Sequence, residues 1–476
     1  MTEPRRGQKK TILTVGLSPD DAYWLSRIDR PERFCFRSIG RFAEADNPEL
    51  CKPRRFVADA IAEIKRRNMR PDGIVGFDDY PASLLALAIS NRLGLPGPRL
   101  ESALLCSHKA WSRLLQKEIV PQSVPAFQVV DPTRRYRPSD LELRFPFWLK
   151  PVKSSMSYLG FRISRFEDFE RACETARREL PRYVAAFDEF MEMSSISVPA
   201  GGHGIGANWL IAEELMGGRQ CTLEGFGDRG KTIVFAIVDS IRLPNRVSFK
   251  RFDYPSGMGK AEISEMSRIA ERVMQHVGYD GGLFNIEFFL DRRRDAPMIV
   301  EINPRFSPQN SDLYHKVDGV LNHQFVVELA AGLQPSIKSR AGGHRIAASC
   351  VLRVGGDRIV RRAPSAADIK RLKKSIPDAH VYLTAKSGDR LSDLAQDMYT
   401  FRYGLVHLGA DNRRHLKQRL RLALKHLPYV LEPVSQDLRA SRRKRQVLQS
   451  DQVGSNRPRR REVGHALARD ASKRKR

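Results

Sequence analysis

Two short apolar stretches, 283–290 and 298–302, constrain this chain more than any other feature. Each carries a glutamate among Phe, Ile, Leu and Val. The charged run Asp291-Arg292-Arg293-Arg294-Asp295 separates them, as in a β-hairpin. Alternate residues of a strand share a face, so Asn285 goes with Glu287, and Glu301 with Asn303. If the strands pair, two carboxylates and one or two amides converge. Burying two like charges is costly through desolvation and mutual repulsion. A divalent cation relieves both, and Mg2+ takes hard oxygen ligands of this kind, completing its shell with water and phosphate oxygens. The alternative is a pair of solvent-facing glutamates on an exposed sheet face. The apolar neighbours and the trailing Asn303-Pro304-Arg305 weigh against it.

The surrounding chain reads as mixed α/β. Over 11–100, short apolar runs alternate with helical patterns: strands at 12–15, 34–36 and 73–77, helices at 21–28 and 56–67, and a third helix capped by Asp78-Asp79 that reaches Leu93-Gly94. This alternation predicts a small parallel sheet. Further on we expect a helix over 107–118, an aromatic strand over 145–149 ended by Lys150-Pro151, and a helix over 166–178. Strands follow at 207–216, 220–227 and 231–242, then a helix over 261–277 stopped by Gly278. Residues 336–432 form a third mixed region. A length of 476 residues suits about three domains. A hydrophobic share of 41% supplies a sizeable core and excludes a collagen-like or wholly disordered chain.

No apolar run approaches the roughly 18 residues that a membrane span needs, and residues 1–10 are polar and basic rather than signal-like. The six cysteines, at 35, 51, 106, 173, 221 and 350, form no Cys-x-x-Cys pair. The chain therefore reads as cytoplasmic, with reduced, buried thiols. Of the formal net charge of +27, +10 falls within 433–476, which is polar, lacks a durable period and reads as disordered. Its basic runs at 442–445, 459–461 and 473–476 suit weak binding of nucleic acid or an acidic surface, or plain solubility. They have no interleaved aromatics for base stacking.

With these motifs in order, the chain resembles the ATP-grasp enzymes, the group of carbamoyl-phosphate synthetase, biotin carboxylase and D-alanine–D-alanine ligase. The resemblance rests on Asn285-Ile286-Glu287-Phe288 followed by Glu301-Ile302-Asn303-Pro304-Arg305, covers about 10–430 and is strongest over 106–332. It implies an α/β chain with an ATP-grasp fold at 106–334, a Rossmann-like domain before it at 11–105 and an α/β region after it at 335–432. Basic ends at 1–10 and 433–476 complete the organisation. It implies that Glu287, Glu301 and Asn303 hold one or two Mg2+ (or Mn2+) ions against the phosphates of ATP. It implies that Arg305 stabilises the transferring phosphoryl group. The chemistry agrees, because charge spreads over the oxygens of a phosphoryl group in flight and cations offset it.

The resemblance further implies that Lys109 and Lys150 touch the phosphates. The loop 153–160 would close over them with donors at Ser154, Ser155 and Ser157, and the strand at 212–218 would border the adenine through the Glu214 C=O and the Met216 N–H. An acid that binds the ribose is usual further on; that place falls on Gln220, and Glu213 is the other candidate. The chain departs from the family in having one glycine, Gly160, in the loop, and in having His108 where an aspartate usually precedes the lysine. The implied activity is an ATP-dependent ligase that joins a carboxylate to an amine or similar nucleophile through an acyl phosphate. Its partners would be ATP and small carboxylate and amine substrates, with a homodimer left open. A bicarbonate-activating enzyme like biotin carboxylase, and an ATP-binding sensor without catalysis, remain as alternatives. Elsewhere, His108 reads as an exposed helix residue and 201–206 as a flexible loop near the acceptor. Arg242, Lys250 and Arg251 suit anion ligands or solvated charges equally, and His315 and His323 read as non-catalytic.

Overall fold

The computed structural model describes residues 9–155, 158–394 and 399–434. The two basic ends expected from the sequence lie almost wholly outside the described residues, and Ser157 lies outside them.

A three-stranded parallel sheet opens the chain, with β1 (Lys10–Val15) between β2 (Phe34–Ile39) and β3 (Gly73–Gly76). Leu13 and Val15 are fully buried, and the helices Pro53–Arg66 and Ala82–Arg92 contribute apolar faces to the same core. The expected cap at Asp78-Asp79 is a correction. The second helix starts at Ala82 behind Pro81, and Asp79 turns to a partner far along the chain. Gly76 ends β3 beneath this helix. A Cβ there would sit 2.5 Å from the Ala82 carbonyl oxygen, so the close approach needs glycine.

A four-stranded antiparallel sheet follows, in the order β4-β7-β5-β6: β4 (Phe127–Val130), β5 (Phe147–Pro151), β6 (Phe161–Ile163) and β7 (Leu210–Glu214). The helix expected over 107–118 is two helices, Leu100–Ser107 and Lys109–Ile119, divided at His108. The helix expected over 166–178 runs on as Phe166–Glu192, through Pro181. Phe169, Leu180, Val184, Phe187 and Phe190 bury its face in the main core, and that burial outweighs the roughly 3 kcal/mol that an interior proline costs.

The third sheet has eight antiparallel strands. These are β8 (Arg219–Asp228), β9 (Lys231–Arg242), β10 (Phe249–Tyr254), β11 (Leu283–Leu290), β12 (Met298–Asn303) and β13 (Ile346–Val354). After β14 (Arg358–Arg362), which pairs elsewhere, come β15 (His380–Leu383) and β16 (Phe401–Ala410). Their order is β12-β11-β8-β9-β10-β13-β16-β15, and β14 pairs with the last strand, β17 (Val430–Pro433). The strands after residue 335 thus continue the sheet that begins at the glutamate hairpin. Gly218, in the turn from β7 to β8, has φ +96, and a Cβ there would lie 2.1 Å from the Leu290 carbonyl oxygen; glycine alone fits. No helix among the described residues is long and apolar enough to cross a membrane.

Candidate active site

β11 and β12 pair with Asn285 opposite Asn303 and Glu287 opposite Glu301. Phe284, Ile286 and Phe288 enter the core shared with Met266, Ile269 and Val273 of the helix Lys260–His276, which leaves Asn285 and Glu287 on the other face. The ladder slips between Glu287 and Phe288. Val300 is the extra residue, so Ile299 pairs with Phe288 and is fully buried. Plain alternation puts Ile299 and Glu301 on one face; the bulge separates them. The Val300 carbonyl accepts from Arg113 Nη2 at 2.7 Å and from Lys150 Nζ at 3.5 Å.

Burial, and then the facing Glu301, push the Glu287 carboxyl well above its usual range. Gln220 offsets part of this by donating its amide N–H to Glu287 Oε2 at 2.8 Å. Burial also acts on Glu301, but Lys109, Lys150 and Arg305 outweigh it and hold this carboxyl below its usual range. Lys109 Nζ stands 3.4 Å from Glu301 Oε2. Asn303 donates from Nδ2 to Asn285 Oδ1 at 3.0 Å, which leaves its own Oδ1 as an acceptor at the cavity edge. Two facing carboxylates and an amide oxygen are a hard donor set that suits Mg2+. Among the described residues no three His, Cys, Asp or Glu side chains gather as a ready-made cage. A divalent cation at these groups would draw its remaining ligands from water and phosphate oxygens.

A small polar cavity lies beside this set, lined by Lys109, Lys153, Ser154, Glu301, Asn303 and Arg305. Asp79 and Ser83 close it from the N-terminal sheet's loop and helix. Lys109 Nζ also donates to the Ser154 carbonyl at 3.0 Å. Arg305 Nη2 donates to Asp79 Oδ2 at 3.0 Å. Burial raises Asp79, and Arg305 and then Lys153 more than reverse it, so its carboxyl is held well below the usual range. Ser155 Oγ is hydrogen-bonded to the Tyr183 hydroxyl at 2.7 Å.

Other expected residues take different places. Lys150 ends β5, but its Nζ is 2.8 Å from Glu213 Oε2 and it does not line the cavity. Glu213 is 1% exposed, and its second oxygen accepts from Arg113 Nε at 2.8 Å. Burial raises this carboxyl, yet Arg113 and Lys150 bring it down to about 2. Both Glu213 oxygens therefore hold cations, and the side chain anchors Lys150. Gln220 is buried on β8 between Glu287 and Arg242, whose Nε donates to its Oε1. Glu214 accepts from the Ala126 N–H at 3.0 Å and from Arg294 Nη2 at 2.7 Å, bracing the connection to β8 on which Met216 lies half-buried.

His108, expected on a helix surface, is fully buried. Its Nδ1 accepts from the Trp111 N–H at 3.2 Å, its ring stacks on Trp111 at 4.0 Å, and burial lowers its pKa to about 3. The glycine loop expected near the acceptor packs on the same helix instead, with the Gly202 carbonyl accepting from Trp111 Nε1 at 3.0 Å. Arg251 is paired with Asp253, Lys250 and His315 are exposed, and His323 is buried with Nε2 3.2 Å from Asp21 Oδ1. Sequence reasoning passes over Lys153, Asp79 and Arg113. For Asp79 a signal exists: it follows a parallel strand, and ligand sites of such sheets gather at the strands' carboxyl ends.

Residues 254–336 match the family model of the carbamoyl-phosphate synthase L chain ATP-binding domain. No curated protein matches the sequence. Among solved structures, an L-amino acid ligase from Bacillus licheniformis superposes with TM-score 0.64 at 15% identity, over 89% of this chain and 99% of that one. A phosphoribosylglycinamide synthetase from Anaerococcus prevotii gives 0.59 at 12% identity, over 89% and 100%. The biotin carboxylase of a beta-gamma-ATP complex from Campylobacter jejuni gives 0.59 at 16%, over 89% and 92%. Identities this low speak for the fold. The chain thus shares a mixed α/β fold with these enzymes, and across its glutamate hairpin it matches the carbamoyl-phosphate synthase L chain ATP-binding domain.

Proposed function

We propose that this chain is an ATP- and Mg2+-dependent ligase that joins a carboxylate to an amine through an acyl phosphate. The observation that carries this reading is the meeting of Lys109, Glu301, Asn303 and Arg305 at one cavity. A divalent cation held by Glu287, Glu301 and Asn303 would supply neutralising charge at the phosphate oxygens. Lys109 holds a phosphate oxygen, and the Arg305 guanidinium faces the charge that develops on the phosphoryl group in transfer. A carboxylate oxygen of the donor attacks the γ-phosphorus, the bond to the β,γ-bridging oxygen breaks, and ADP leaves. The amine nitrogen then attacks the acyl carbon, the carbon–oxygen bond to phosphate breaks, and the nitrogen gives up a proton. The fold shared with an L-amino acid ligase supports this class of chemistry.

The test is phosphate release from ATP and Mg2+ across a panel of amino acids and small carboxylates. We expect substrate-dependent release that falls by about a hundredfold or more in Glu301→Ala, the scale of losing one preorganised electrostatic group. Wild-type rates in that variant at saturating Mg2+ overturn the reading.

A further inference from the structure

The helices Ala366–Ser375 and Arg413–Lys425 cover one face of β13 and β16. Leu372 of the first, and Leu416 and Ala423 of the second, share a buried cluster with Ala348, Cys350, Val406 and Leu408. β16 stands six steps from β12 in the sheet order, about 28 Å along the sheet at roughly 4.7 Å a step, so this region is remote from the glutamate hairpin. Each helix spends its apolar side on the sheet, and its other side meets solvent. That side is basic in both. The first helix has four Lys or Arg against one Asp, and the second has six against no acid. Lys370, Lys373 and Lys374 are exposed, as are Arg414, Lys417 and Arg421, at the spacings of three, four and seven that gather side chains on one helix face. Among the described residues none of these six pairs with a carboxylate. The acids beside them are already engaged: Asp368 by Arg371, Asp378 by Arg419 and Asp411 by His415. The Arg419–Asp378 pair also ties the second helix to the residues just past the end of the first.

Six cations without counter-charge repel one another and attract a polyanion. Its kind follows from what the face lacks. Neither helix contains Phe, Tyr or Trp, so there is no platform for unstacked bases. The apolar side that a membrane-surface helix inserts is already buried here, and of the second helix's leucines only Leu422 and Leu424 are exposed. What fits is a polyanion held by charge alone, and duplex nucleic acid presents one phosphate charge per roughly 1.7 Å of its axis. We propose that this two-helix face binds duplex nucleic acid through its phosphate backbone, without reading sequence. The segment 433–476, which follows the second helix along the chain, adds a net +10 of the same sign. Binding by six cations gives a slope of log K against log salt of about −5, at roughly −0.9 per phosphate.

The test uses the full chain and a fluorescein-labelled 20-base-pair DNA of arbitrary sequence, with anisotropy read between 50 and 200 mM KCl. Two neutral variants are compared: Lys370→Gln with Lys373→Gln and Lys374→Gln, and Arg414→Gln with Lys417→Gln and Arg421→Gln. We expect each to weaken binding by about tenfold or more and to flatten the salt slope by about 2 to 3, while a second duplex of unrelated sequence behaves alike. All six side chains are exposed, and Lys370→Arg with Lys373→Arg and Lys374→Arg, which keeps the charge, should retain wild-type affinity. A third variant neutralises Arg442, Arg443, Lys444 and Arg445 to Gln. Duplex binding that falls in this variant and is unchanged in the other two overturns the proposal. So does a wild-type chain that leaves the duplex free at 50 mM KCl but binds vesicles of phosphatidylserine and phosphatidylcholine, which assigns the face to a lipid surface.

Discussion

His108 divides two helices and caps the second, and its ring is sandwiched into the core against Trp111. Burial keeps it neutral, so it works as an uncharged acceptor for the Trp111 N–H. His108→Ala removes a cap and an aromatic contact next to Lys109. We expect it to cost about 2–3 kcal/mol in urea unfolding, the sum of a lost cap and a lost ring packed in a core. The same residue shows what a sequence hides. A histidine at a helix start looks solvated until the tryptophan three residues on is known to lie under it. Glu287, Glu301, Asn303 and Arg305 are different: their grouping follows from strand alternation and one hairpin, all within 19 residues, so it is legible locally. Lys153 and Asp79 acquire their surroundings from segments tens to hundreds of residues away, and no local pattern announces that.

Among the elements, β5 and β7 are joined by more than their ladder. Glu213 on β7 ties Lys150 on β5 and Arg113 on the helix Lys109–Ile119 into a buried triad. The Glu213 carboxyl sits at about 2 in the folded chain, below its ordinary 4.5. Its stabilising share is therefore fully present above pH 4.5 and is lost as pH falls from 4.5 towards 2. The shift corresponds to roughly 3 kcal/mol as an upper bound. Burial lowers Lys150 as well, so the triad as a whole returns less than that. Glu213→Gln should lower stability at pH 7, and the gap to wild type should narrow between pH 4.5 and 3, read by urea titrations at the three pH values. An unchanged gap counts against the triad. Strand and helix existence is readable here from periodicity. The continuation of Phe166–Glu192 past Pro181 is not, because the packing of Phe187 and Phe190 that sustains it is a tertiary fact.

For the whole molecule, the contact that matters most spans 226 residues: Asp79, from the loop after β3, holds Arg305. The N-terminal sheet thereby takes part in aiming the guanidinium. Asp79→Asn keeps the shape and removes the charge. We expect kcat to fall about tenfold, the value of one charged hydrogen bond, while nucleotide affinity changes by less than about twofold and the melting temperature by a few degrees. Loss of affinity in proportion to kcat would show that Asp79 serves binding instead. The alternation of strands and helices in the first hundred residues foretells this parallel sheet, but not that its edge reaches the glutamate hairpin. At the hairpin itself, Val300 interrupts an otherwise regular ladder, and its carbonyl receives Arg113 from the helix and Lys150 from β5. Deleting Val300 would leave the pairs Glu287–Glu301 and Phe288–Ile299 adjacent and the ladder unbroken. The four-stranded and eight-stranded sheets would then lose a shared fastening point, so that perfect local order in one sheet would loosen its grip on the other.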